Sequence, residues 1–116
     1  MNIEGKVADA GRYMKGYYNC EEANGKIPYA VLARNSCENV LKYIENNNFI
    51  HDIDFEREFE YCLSEITCII YKWTKADGIF RKYKERIQIR KLDSRMKRLA
   101  ELYMMALLML TDHFGI

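Results

Sequence analysis

Apolar residues recur at steps of three and four through most of this chain, and few residues interrupt the pattern. Its 116 residues include one proline and six glycines. A fold of many short strands needs frequent turns, and turns draw heavily on those two residue types. The spacing and the scarcity of turns predict an all-α protein, a compact bundle of about five helices, with 1–116 forming a single helical domain. About half the residues (49%) are apolar, which suits one packed core at this length.

The stripes locate the helices. Ile3, Val7, Ala10, Met14 and Tyr17 mark the first, which "ANGK" (23–26) is expected to end, with Gly25 as a left-handed stop. Gly5, Gly11 and Gly16 weaken that helix, so it needs tertiary support. Pro28 suits the first turn of the second helix, whose stripe is Ala33, Cys37, Val40, Leu41 and Ile44 and whose end is "NNN" (46–48). "HDID" (51–54) reads as a loop closing on Asp54 as N-cap. Phe55, Phe59, Leu63, Ile66, Ile70 and Trp73 follow as the third stripe, and Gly78 is expected to end it.

Residues 80–98, "FRKYKERIQIRKLDSRMKR", hold nine Lys or Arg and two acids. The segment carries +7 in a chain of net charge +1, so the remainder carries −6. This segregation is more informative than the near-neutral total. Phe80, Tyr83 and Ile87 form one apolar stripe there. Leu92, Met96, Leu99, Tyr103, Ala106, Leu110 and Phe114 form another, turned from the first by most of a half-turn. One straight helix does not bury both on the same side. The expectation is a break near "KLDS" (91–94), with Asp93 or Ser94 capping a last helix. Arg95, Lys97 and Arg98 would then sit at a helix N-terminus, where free N–H groups and cations together favour a phosphate.

Other chemistry is thinly represented. Cys62 and Cys68 point about 120° apart on one helix, which does not suit zinc; all four cysteines (Cys20, Cys37, Cys62, Cys68) are expected to be reduced and buried. His51, Asp52 and Asp54 are better explained as a loop and a cap than as an acid–base set. No Gly-rich phosphate loop, GxSxG or HExxH occurs. The chain is therefore expected to be non-catalytic, with no metal or cofactor. No apolar leader opens it, and "LYMMALLML" (102–110) is too short to span a bilayer, so a cytoplasmic protein with no membrane partner is expected. Met104, Met105, Leu108 and Met109 broaden the apolar face of that helix. A helix apolar all round is either central or packed on a partner; a central position is the expectation, with self-association as the other reading.

"LYMMALLMLTDHFG" (102–115) resembles the C-terminal signature of the small helical subunit of type III-A CRISPR effector (Csm) complexes. Tyr103, Met104, Ala106, Leu107, Phe114 and Gly115 fall in step with it, while Met105 stands in place of a Glu and Leu110 in place of a Tyr. The resemblance implies a non-catalytic antiviral-defence subunit. Its copies would stack in a ribonucleoprotein and hold a guide–target RNA duplex through backbone contacts.

The basic segment is consistent with that role. Arg81, Lys82, Lys84, Arg86, Arg90, Lys91, Arg95, Lys97 and Arg98 are the expected contacts to nucleic acid, RNA rather than DNA, within a larger or self-associating complex. The alternative is a protein-interaction module, such as a phage or host regulator docking an acidic partner or a nucleic-acid enzyme. A third reading neutralises the cations with the acidic run "HDIDFEREFEY" (51–61), inside the fold or on a neighbouring copy.

Overall fold

The computed structural model describes residues 3–47 and 52–114. Within them lie four helices and no strand: α1 (Ile3–Asn19), α2 (Ala23–Asn47), α3 (Ile53–Thr74) and α4 (Arg81–Phe114). The chain is all-α, as its periodicity predicts. α1 packs chiefly on α2 and α3 on α4, so two helical hairpins share one core. No described helix is long and apolar enough to cross a membrane.

The stripes identify most of that core. Ala10, Met14 and Tyr17 of α1, Ala33, Cys37, Val40, Leu41 and Ile44 of α2, and Phe55, Phe59, Leu63 and Ile66 of α3 are all buried. From α4 come Leu92, Met96, Leu99, Leu102, Ala106 and Leu110. Two of the α1 glycines sit at close approaches. A Cβ on Gly16 would lie 2.5 Å from the Tyr29 ring of α2, and one on Gly11 would lie 3.0 Å from the Tyr103 hydroxyl of α4. That hydroxyl donates to the Val7 carbonyl at 2.9 Å, tying α4 to α1.

Among the described residues the helix count is four rather than five, because nothing breaks at "KLDS". α4 runs unbroken for 34 residues. At about 1.5 Å per residue it spans roughly 51 Å, close to the 54 Å long axis of a molecule 26 × 21 Å across. The bundle is accordingly elongated, not compact. Its radius of gyration is 15.1 Å, against about 13 Å for a compact domain of this length. The conflict between the two apolar stripes is resolved by exposure. Leu92 to Leu110 enter the core, while Phe80 and Tyr83 stay in solvent.

The boundaries differ locally. α1 ends at Asn19, before "ANGK", and the backbone of Gly25 lies within α2. The amides of Gly25 and Lys26 both donate to the Glu22 carbonyl at 3.1 Å, so helix forms before Pro28, which lies inside α2 rather than in its first turn. Asp52, not Asp54, caps α3: its carboxylate accepts from the Phe55 amide at 3.0 Å, and Asp54 follows in the first turn. α3 stops at Thr74 with Lys75 as C-cap, and Gly78 adopts its positive φ of 83° in the connection to α4. The expected "NNN" stop agrees with α2 ending at Asn47; Asn48 and His51 lie outside the described residues.

Candidate nucleic-acid interface

With α4 continuous, its cations fall into two tracks. At about 100° per residue, Lys84, Gln88, Lys91, Arg95 and Arg98 follow steps of four and three along one flank. Lys82, Arg86 and Lys97, with Asp93, follow a second line about half a turn away, and Arg90 lies between the two on the outer side. Contacts identify the flanks. Arg98 pairs with Glu58 of α3, and the Cys62 thiol of α3 donates to the Arg95 carbonyl at 3.4 Å. On the other side, Asp93 accepts from the Tyr17 hydroxyl of α1 at 2.5 Å and from the Lys26 ammonium of α2 at 3.3 Å. Asp93 is therefore bound to the fold and caps no helix.

An open cleft of about 450 Å³ lies between α3 and α4. Lys72 of α3 and Arg90, Lys91 and Arg95 of α4 line it, with Gln88, Ser94 and Cys68. Its single carboxylate is Glu65. The Gln88 side-chain oxygen is buried and has no hydrogen-bond partner among the described residues. Four cations against one carboxylate make the cleft electropositive, and their ammonium and guanidinium donors suit an oxyanion, whereas the Gln88 oxygen is an acceptor and calls for a donor.

The expected phosphate site at a helix N-terminus near Ser94 does not exist. Ser94, Arg95, Lys97 and Arg98 are in the helix interior, where backbone N–H groups are spent on the helix itself. Arg95 nevertheless reaches the cleft. Arg98 is engaged by Glu58 and, at 2.7 Å, by Glu101; these two carboxylates hold its guanidinium pKa above the ordinary value. Arg81 pairs with Glu85 at 2.8 Å. Lys82, Lys84, Arg86, Arg90, Lys91, Arg95 and Lys97 have no ion-pair partner among the described residues, and all but Arg95 are largely exposed.

Neutralisation by the acidic run is limited for a geometric reason. α3 and α4 run antiparallel, with Glu58 level with Arg98 and Cys62 level with Arg95. That register sets Asp52–Glu60 beside roughly residues 97–105, past the main concentration of cations. The first half of α4 instead faces the end of α3 that carries Lys72. Glu58–Arg98 is the one ion pair joining the acidic run to the basic segment among the described residues.

Lys72 and Gln88 were not singled out by sequence. Lys72 stands outside the basic block, and only the antiparallel register brings it to the cleft. The four cysteines are free, but only Cys37 and Cys62 are buried. Burial pushes both thiols up, Cys62 to about 11. Cys20 is half-buried and Cys68 is exposed at the cleft, which corrects the expectation of four buried thiols.

In the C-terminal segment, Ala106 is buried, Tyr103 is half-buried, and Met104, Met105 and Leu108 are exposed. The helix is thus covered on one side, not central. The side chain of Phe114, and Gly115, lie outside the described residues. No family model, curated protein or solved structure matches the chain.

Proposed function

We propose that this protein is a non-catalytic subunit that binds nucleic-acid backbone without reading sequence. The observation that carries the reading is the α3–α4 cleft, where Lys72, Arg90, Lys91 and Arg95 oppose only Glu65. Backbone binding needs spaced cations and no base-specific device. Lys91 and Arg95 are one helical turn apart, about 6 Å along the axis, and Lys84 extends their track. The resemblance of residues 102–115 supplies the setting: a guide–target RNA duplex in a CRISPR-type antiviral ribonucleoprotein. Met104, Met105 and Leu108 give the outer face of α4 an apolar surface suited to neighbouring subunits in such an assembly.

The test is binding of a short RNA duplex as a function of salt. Four phosphate contacts give a log–log slope of about −3 to −4. Lys91→Glu combined with Arg95→Glu abolishes binding while circular dichroism stays unchanged. A flat salt response, or no binding at low salt, overturns the reading. A stoichiometric acidic protein co-purifying free of nucleic acid favours the protein-docking alternative.

A further inference from the structure

The end of the molecule beyond the cleft has a feature that backbone binding leaves unused. Ile79, Phe80 and Tyr83 are 93%, 62% and 65% exposed. They precede or begin α4, and the Lys84 amide donates to the Phe80 carbonyl at 2.9 Å, so Phe80 already lies in helical register with Tyr83. Tyr71, in the last turn of α3, is also exposed, and the Lys75 ammonium lies 5.6 Å from its ring centre. Burial therefore explains the core stripe of α4 but not this one.

The chemistry around these rings selects a ligand. Arg81, Lys82, Lys84 and Arg86 interleave with Phe80 and Tyr83. The core of a protein–protein interface is depleted in charge, especially lysine. A single strand presents apolar base faces beside phosphates, and proteins that hold one set aromatic rings among cations. From Tyr83 to Lys91 is about 12 Å along the helix, so one strand leaving the cleft reaches the rings within a few nucleotides.

We infer that the Phe80–Tyr83 tip is a stacking platform for unpaired nucleotides continuous with a strand held in the α3–α4 cleft. The protein then prefers a duplex with a single-stranded extension over a blunt one. This rests on the backbone-binding reading above.

The experiment compares a blunt RNA duplex with the same duplex carrying an unpaired uridine tail, by fluorescence anisotropy at fixed salt. Wild type is expected to bind the tailed duplex about tenfold more tightly, the scale of one or two stacked bases. Phe80→Ala with Tyr83→Ala removes that gain and leaves blunt-duplex affinity and its salt slope unchanged; both side chains are exposed, and circular dichroism checks the fold. Equal affinity of wild type for the two probes overturns the stacking proposal and leaves backbone binding standing. So does a tail gain that survives in the double variant. If the double substitution instead converts a dimer to a monomer with the tail gain intact, the stripe is a contact between copies and the proposal falls. Binding of neither probe overturns both readings.

Discussion

The Tyr17 hydroxyl of α1 donates to the Asp93 carboxylate of α4 at 2.5 Å, across 76 positions of sequence. Lys26 reaches the same oxygen at 3.3 Å and lies 4.9 Å from the centre of the Tyr17 ring. One of the two acids in the basic segment thus serves to join the hairpins. Removing the donor by Tyr17→Phe is expected to cost about 1.5–3 kcal/mol in urea unfolding. A Tyr17→Phe/Asp93→Ala cycle should show coupling of about 1 kcal/mol or more.

The same contact sets a pH dependence. Burial first, then the hydrogen bond to Asp93 and its charge, raise the Tyr17 pKa above the ordinary 10.0. The folded protein keeps this proton where the unfolded chain loses it. The stabilisation is complete below pH 10 and is lost as pH rises through the folded value. Stability measured from pH 9 upward should fall, and Tyr17→Phe should fall less steeply.

Ser94→Pro tests the continuity of α4. At the start of a helix proline is well tolerated, but in the interior it removes a hydrogen bond and clashes with the preceding turn. Ser94 is interior and exposed. The substitution should cost about 3 kcal/mol or more, read by chemical unfolding. A cost near zero would restore the break at "KLDS".

Arg95 and Arg98 should separate in function although they are one turn apart. Arg95 lines the cleft, whereas Arg98 is held by Glu58 and Glu101. Arg95→Ala should weaken RNA binding and reduce the magnitude of the salt slope by about 1. Arg98→Ala should leave the slope unchanged. Equal losses would mean that the ion pairs open on binding.

Cys68 reports occupancy of the cleft. It is exposed there, while Cys37 and Cys62 are buried with raised thiol pKa values. A thiol reagent at pH 7 should modify Cys68 first, and Cys37 and Cys62 only on unfolding. Duplex RNA should slow the reaction at Cys68 and leave that at Cys20 unchanged, as followed by mass spectrometry.

Glu45 lines a second cleft, between α2 and α3, beside Glu60. Burial first, then the Glu60 and Glu56 carboxylates, raise its pKa above 4.5, and Lys42 opposes them. The folded state favours the protonated form, so this contribution is present below pH 4.5 and lost as pH rises through the folded value. Glu45→Gln should raise Tm at pH 7 by about 1–3 °C, with the gain shrinking toward pH 4.

Local pattern was enough to decide the class of structure and the inward faces. Steps of three and four place side chains on one side of a helix, so Phe59, Ile66, Leu99 and Ala106 can be assigned to a core without coordinates. The basic block is equally visible because charge density is a property of composition. Tertiary structure decided where α4 did not break, since an apolar stripe shows what can be buried but not whether a partner surface exists to bury it; Phe80 and Tyr83 have none among the described residues. It also decided which cations are spent and which are free. That depends on the antiparallel register of α3 and α4, which pairs Arg98 with Glu58 and brings Lys72 to the cleft that the α4 cations line, distances along the chain that no local pattern encodes.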